Sequence, residues 1–332
     1  MKHSETERPW KNWELQKAIS PKTLLLLLLV VVLLTFSAKN TEMDKAAIET
    51  GGIALHFLGI KDSKVVNGAM NFVAEAFPFQ IEDRVEIDRI DNFDPNNLPV
   101  FSRVEVVIES EYDTLTDTTE QVETRYLTHS FGYVIKAGKK MIETIEMGFW
   151  GTFISILISL PLGILASKNY TPNRFVYNVI RMQLSLHRAL PEIIVALFLV
   201  LMYGFGPIPG VLALAIHTSG VLAKFFADEI ENSDPGPQGA LRSTGASRIK
   251  VLRIAVFPQV FPAFVAYVQY IFERNIRTAT VLGIVGAGGI GMELKGRWDL
   301  FDYSHVSTVL LMIFLTVIAL EGISQKIRSR TM

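Results

Sequence analysis

Three ionisable residues, Glu273, Arg274 and Arg277, stand inside an otherwise apolar run from Val260 to Val285. Charges at membrane depth are costly and persist where they pair or face water. Glu273 and Arg277 are four residues apart, so a helix would place them on one face and allow an internal ion pair. That pairing leaves Arg274 free to meet a passing anion. The run ends in Gly286-Ala287-Gly288-Gly289-Ile290-Gly291, which fits G-x-G-x-x-G. A dinucleotide site would need a soluble strand before these glycines and an acid about 20 residues beyond them. Here an apolar run precedes them, and the required position falls inside another. The segment therefore reads as a break at a helix end, with backbone N–H groups that an anion could meet.

A second segment, Asp234–Pro262, is polar, basic and punctuated by Pro and Gly, yet consists mostly of helix-forming residues. Ser243, Thr244, Gly245, Ala246 and Ser247 provide small side chains with capping and helix-ending character. Arg242, Arg248, Lys250 and Arg253 keep the stretch in an aqueous compartment. A short, capped helix pair between apolar runs is a docking surface for another protein, or else a plain surface hairpin without a partner. Enzymatic chemistry has little footing elsewhere. The chain has no cysteine and six dispersed histidines. There is no H-E-x-x-H, no G-x-S-x-G and no P-loop, so neither a metal site nor nucleotide hydrolysis by a Walker mechanism is expected of this chain.

Membrane helices must position these segments. The chain has 332 residues, 49% of them hydrophobic, and a mean hydropathy of +0.31, which fits several spans combined with a polar portion. Apolar runs fall near 23–38, 147–166, 186–203, 211–227, 260–285 and 306–320, giving about six transmembrane helices. The first follows a basic amino terminus and reads as an uncleaved anchor. A signal peptide would want a small residue where Phe36 stands. With the amino terminus cytoplasmic, segments 1–22, 167–188, 224–258 and 321–332 lie inside and hold 5, 4, 5 and 3 Lys or Arg residues, as the positive-inside rule requires. Both termini are then cytoplasmic. Basic residues sit beside apolar runs rather than on one soluble face, so no nucleic-acid partner is implied.

The same orientation makes residues 40–135 external. This stretch carries 18 acidic and 7 basic side chains, a net of −11. Thr41–Leu58 and Ser63–Ala76 have helical character. Phe101–Ser110 and Gln121–Thr128 are rich in Val, Ile, Thr and Tyr and read as strands around a polar turn at Asp113–Thr119. The expectation is an inserted acidic α+β domain without a catalytic constellation. Its acidity would repel anions or steer a basic partner.

The polar loop carries a resemblance. Coupling loops of bacterial ABC-importer permeases read E-A-A-x3-G-x9-I-x-L-P. Anchored on Gly245, this chain has Gly239-Ala240-Leu241 and then Ala255-Val256-Phe257-Pro258. The Ala, Gly and Pro agree, whereas the family's Glu is Gly239 and its Ile and Leu are Ala255 and Phe257. The sequences DPGPQGALRSTGAS, VFPQVFP and ERNIRTATVLGIVGAGGIG more closely resemble the phosphonate-type branch of these permeases. The resemblance covers roughly residues 148–326. It places Gly239, Ala240, Leu241, Arg242, Ser243, Thr244, Gly245, Ala246, Ser247 and Pro258 in an ATPase-coupling loop within 228–258. It also aligns Glu273, Asn275, Arg277, Gly286, Gly288, Gly289 and Gly291 with a second motif, which with Arg274 forms a candidate translocation path.

The resemblance implies an all-α polytopic membrane protein of the type I ABC importer permease fold, with a permease core at 136–324. It also implies residence in the bacterial inner membrane among its lipids, a second permease copy, two ATP-binding cassette subunits that use ATP and Mg, and an external substrate-binding protein. The chain itself would bind no cofactor, and the cargo would be a phosphonate or a related phosphorus oxyanion such as phosphite, hypophosphite or a phosphate ester. Two other classes stay open on residues alone: an ion-coupled secondary transporter, which should show an internal repeat, and a membrane-anchored sensor or enzyme acting through residues 40–135.

Overall fold

The computed structural model describes residues 21–331 apart from 61, 91–92, 96–97 and 114–117. The amino-terminal segment expected at 1–22 and the tip of the turn expected at 113–119 therefore lie largely outside the described residues. The chain divides into two compact units, the first ending at Ala74 and the second running from Glu75 to Met332.

The first unit contains α1 (Pro21–Asn40), α2 (Met43–Phe57) and most of α3 (Lys64–Ala76). Helix α1 is Leu and Val around its whole circumference and buries none of its residues. A helix that is apolar on every face is stable only in an apolar surrounding, and its 20 residues suffice to cross a bilayer.

The second unit opens with strand β1 (Asp83–Glu86) and a hairpin of β2 (Ser102–Asp113) and β3 (Thr118–His129). The sheet order is β1-β3-β2, antiparallel throughout, with Val104 opposite Leu127. The expected strands at 101–110 and 121–128 are both present but longer, and β1 was not anticipated, because four residues of DRVE carry no readable alternation. The stretch 40–135 is not one domain. Its sheet belongs with the helices that follow, and backbone hydrogen bonds explain why. Tyr133 N donates to Ile81 O at 3.1 Å and Gln80 N to Ser304 O at 3.4 Å. The hydroxyls of Ser307 and Thr308 donate to Ala76 O and Gln80 O. The segment leading into β1 is thus fastened to the helices flanking residues 132 and 304.

Those helices are α4 (Gly132–Leu165), α5 (Arg174–Ala189), α6 (Glu192–Tyr203), α7 (Pro207–Asn232), α8 (Pro235–Ser243), α9 (Arg248–Val251), α10 (Phe257–Ile284), α11 (Gly289–Asp299) and α12 (Tyr303–Thr331). Among the described residues five helical stretches are long and apolar enough to cross a membrane, or six if the bent pair α5–α6 counts as one span. The helix expected over 186–203 is in fact this pair, meeting at 85°. Proline explains the break: Pro191 lacks an N–H and forces Leu190 out of helical geometry, to φ −81°, ψ 121°.

Helix α7 is the spine of the bundle. It buries fourteen residues, among them Ala213, Ser219, Gly220, Ala223 and Ala227. Without a hydrophobic drive between helices in lipid, close backbone approach at small residues supplies the packing. Gly151 of α4 lies where a Cβ would come within 2.8 Å of Leu214, and Gly148 within 2.6 Å of Ile276. One apolar cluster joins Met147, Leu199, Leu214, Ala279 and Leu282. A second joins Leu222, Phe226, Ile230, Val260 and Phe264, with the Phe226 and Phe264 rings stacked at 4.1 Å. Helices α4, α7 and α10 are thereby held as one block.

Candidate functional site

The polar loop is a built structure. Asp234 caps α8 by accepting from Gly236 N at 2.9 Å, and Pro235 occupies the first turn, where its missing N–H costs nothing. The helix stops after nine residues because Gly245 takes φ +77°, a left-handed conformation that favours glycine. Gly245 N donates to Arg242 O and Ala246 N to Leu241 O, closing the turn. Ser247 then caps α9, accepting from Lys250 N. A π-helical turn, Leu252–Val256, passes the chain into α10, with Pro258 in its first turn.

Burial divides this loop in two. Gln238 is buried and anchors α8 to the bundle. Its amide donates to Ser233 Oγ at 3.0 Å, and its carbonyl accepts from Tyr170 Oη at 3.0 Å. Burial pushes the Tyr170 phenol above its ordinary pKa, against the opposing pull of Arg242. Asp234 N donates to Gln259 Oε1, tying the start of α8 to α10. By contrast Gly239, Ala240, Arg242, Ser243, Thr244, Gly245 and Ser247 are exposed, while Leu241 and Ala246 are half-buried. Ile249 is 78% exposed beside them. A rigid, inwardly anchored helix with small outward side chains and one projecting isoleucine suits insertion into a cleft on another protein. Nothing lies within 4 Å of a Cβ placed on Gly239, so the departure from the coupling motif's Glu removes a charge without any steric cause.

The second set of expected residues lies deeper in the bundle. Glu273 and Arg277 do pair, with Arg277 Nη1 donating to Glu273 Oε1 at 2.8 Å. The expectation that Arg274 stays free does not hold. Its guanidinium donates to Glu192 Oε1 at the start of α6 and approaches His217 Nε2 of α7 at 3.4 Å. His217 Nε2 lies 3.1 Å from the same carboxylate oxygen, and its Nδ1 lies 3.1 Å from Leu190 O at the α5–α6 break. Sequence reading missed Glu192 and His217 because each is a lone polar residue in a separate apolar run. The one available signal was the Pro191-Glu192 pair, a helix start inside a supposed span.

Asn275 is only 1% exposed and faces the bundle core. Its amide donates to Thr152 Oγ1 at 2.9 Å, and its carbonyl accepts from Thr218 Oγ1 at 3.0 Å. It locks α10 to α4 and α7. The opposite side of α10 presents Tyr270, Val281 and Ile284 as an exposed stripe with Arg277, and Arg274 is partly exposed along it. These residues recur every three or four positions on one helical face.

The glycine break is tightly built. Gly286, Gly288 and Gly289 take φ of +89°, +86° and +71°, so glycine is needed for the turn itself. Four of its N–H groups are already used: Gly286 N donates to Gly283 O at 2.9 Å and Ala287 N to Leu282 O at 3.2 Å. Gly289 N donates to Glu143 Oε1 at 3.0 Å and Ile290 N to Thr144 Oγ1 at 2.8 Å. Gly291 packs so closely that a Cβ would clash with Thr280 O. The break is a joint between α10, α11 and α4.

Among the described residues no group of His, Cys, Asp and Glu could hold a metal ion. A further ion network ties the loop end of the bundle. Arg181 Nε donates to Ala166 O at 2.9 Å, and the guanidinium pairs with Glu231 at 2.9 Å and Asp228 at 3.3 Å. It braces α5 against the end of α7 that leads into α8.

Comparison with known proteins agrees with this geometry. Residues 159–329 match the family described as binding-protein-dependent transport system inner membrane component. HtxE of Stutzerimonas stutzeri, named for a phosphite transport system, is 46% identical over 260 residues, covering 76% of this chain and 99% of its own. PtxC of the same organism, a phosphite transport system permease protein, is 40% identical over 190 residues, covering 57% of this chain and 69% of its own. In fold the chain is similar to an inward-facing structure of the MetNI methionine ABC transporter, with a TM-score of 0.52 at 19% identity, covering 58% of this chain and 95% of that one. The chain belongs to the family of inner membrane components of binding-protein-dependent transport systems.

Proposed function

We propose that this chain is the permease subunit of an ATP-driven importer for phosphite, phosphonates or a closely related phosphorus oxyanion. The observation that carries the reading is the 46% identity to a phosphite-system permease across 99% of that protein's length. The chain works as a pair of copies with two ATP-binding cassette subunits at its cytoplasmic face and a soluble binding protein outside. ATP and Mg are used by the cassette subunits, and the permease contributes movement only. Both termini are cytoplasmic, and the acidic sheet region within 40–135 is external. Helix α8 with the Gly245 turn and Ile249 seats in the ATPase. Closure of the ATPases is transmitted through Gln238 to Tyr170, on the connection between α4 and α5, and through Asp234 to Gln259 of α10. Alternating access then opens a path along the exposed face of α10, past Arg274 and Arg277. Glu273, Asn275 and the Gly286–Gly291 break set that face in position.

The test is ATP hydrolysis by the complete transporter in liposomes, with binding protein carrying phosphite or methylphosphonate. Stimulation by one loaded form supports both the importer role and its cargo. A complex that assembles but responds to neither rejects the cargo. Absence of any co-purifying ATPase rejects the role of α8.

A further inference from the structure

Arg274 occupies an unusual position for a charged side chain. It is ten residues before Ile284, the end of α10, which places it about 15 Å along the helix from that end. A guanidinium at such depth must pair or face water, and here it does both: it is paired, yet 30% of its side chain remains exposed. Its partner comes from the corner of the broken pair α5–α6. Helix α6 has 12 residues and spans only about 18 Å, so it is too short to cross hydrocarbon by itself. A break of this kind is tolerated at membrane depth where it is buried in protein or lines a cavity.

The chemistry of the cluster is that of an occupied anion site. Arg274 and His217 both face one carboxylate oxygen of Glu192. With His217 Nδ1 donating to Leu190 O, a neutral ring leaves Nε2 to accept from Arg274, whereas a protonated ring donates to Glu192. An incoming oxyanion offers the same acceptor oxygens as the carboxylate and would meet the same donors. Arg277, one turn further along the same exposed face, already holds Glu273 in the same manner. Both cations on this face therefore carry an internal carboxylate.

We propose that Glu192, His217 and Arg274 form an oxyanion-exchange site, in which Glu192 is the resident anion that a permeating phosphorus oxyanion displaces from Arg274. The inference rests on the importer reading above and assigns the contact within its path. A resident carboxylate keeps the guanidinium compensated in the empty state, where an unpaired buried charge would be strongly destabilising. It also sets up competition that favours release of the cargo, because Glu192 is tethered beside the site.

The experiment compares wild type, Glu192→Gln, Arg274→Gln and the double variant in cells that depend on this transporter, following initial uptake of phosphite alongside permease abundance in the membrane. The double variant has no uncompensated charge and is expected at wild-type abundance, with uptake reduced on the order of 30-fold or more. In the purified permease–ATPase complex, Glu192→Gln should bind phosphite at least about 10-fold more tightly than wild type, since the competitor is gone. A measurement on the unaltered complex covers the case of poorly folding variants: phosphite should protect Arg274 from phenylglyoxal, read by peptide mass spectrometry. A double variant that transports normally, or an Arg274 that phosphite leaves unprotected, overturns the site while leaving the importer intact. Wild-type cells that import neither phosphite nor methylphosphonate would overturn the importer reading and the site together.

Discussion

Asn275 donates from its side-chain amide to Thr152 Oγ1, which itself donates to Gly148 O on the same helix. Through this chain α10 and α4 share a buried polar contact one turn from the point where Gly148 meets Ile276. Asn275 also accepts from Thr218, so one side chain fastens three helices. Replacing it by alanine strands the Thr218 hydroxyl in the core and leaves Thr152 with only its bond to Gly148 O. The expected cost is about 1–3 kcal/mol, visible as a lowered unfolding temperature of the purified permease, with ATPase docking on α8 unaffected. An unchanged unfolding temperature, or selective loss of transport at full stability, would move Asn275 out of the scaffold and into the path.

How much of this was legible from sequence varies with how local the cause is. The stop of α8 and the cap of α9 depend on Gly245 and Ser247 acting on their own neighbours, so the run from Ser243 to Ser247 already read as a helix break and cap, whereas the equally local Asp234 cap was not singled out. The Glu273–Arg277 pair is likewise an i, i+4 relation. The partners of Arg274 lie 82 and 57 residues away, on α6 and α7, and no periodicity encodes such a contact. The division of residues 40–135 escaped for the same reason: it depends on hydrogen bonds to residues beyond 300. Hydropathy saw 186–203 as continuous because a window average smooths over a single proline.

Gly245 is constrained by its backbone rather than by space. Its φ is +77°, and nothing lies within 4 Å of the point where a Cβ would stand. Asparagine, which tolerates left-handed geometry, should therefore preserve ATPase co-purification and most of the transport. Valine, which is β-branched, should cost roughly 1–3 kcal/mol of local strain, unwinding the end of α8 and weakening co-purification. Equal behaviour of Gly245→Asn and Gly245→Val in a pull-down would show that the turn does not govern docking.

Asp302 caps α12 and gathers charge. Its carboxylate accepts from Arg297 Nη1 at 3.1 Å and from His305 Nδ1 at 2.7 Å. Burial alone would raise its pKa, but the hydrogen bond and charge of His305, with Arg297 behind them, outweigh it and hold the carboxyl below its ordinary value. A carboxylate with a depressed folded-state pKa contributes stability that is fully present above the unfolded-state pKa. That stability is lost as the pH falls through the folded-state value. Asp302→Asn should therefore destabilise the protein at pH 7, by about 0.5–2 kcal/mol for the cap and charge together, and the difference from wild type should shrink in acid. Thermal unfolding at a series of pH values checks this. A difference that stays constant into acid would assign the effect to packing.

The exposed face of α10 gives the sharpest test of where the cargo passes. Tyr270, Val281 and Ile284 lie on the face that carries Arg277 and is bordered by Arg274. If that face contacted lipid, Arg277 would lie against hydrocarbon at a cost of several kcal/mol, depending on depth. An aqueous path between two copies removes that cost. The chain has no cysteine, so a single introduced thiol is the only one it carries. Val281→Cys should react with a charged, membrane-impermeant methanethiosulfonate, whereas Phe314→Cys, also exposed but in the apolar run of α12, should not. A thiolate forms readily only where water reaches it, so the rate reports hydration directly. Binding protein loaded with phosphite, together with ATP, should change the Val281→Cys rate as the path switches sides. Equal inertness of both positions in every state would place this face of α10 against lipid or within a dry interface, and the cargo would have to pass elsewhere.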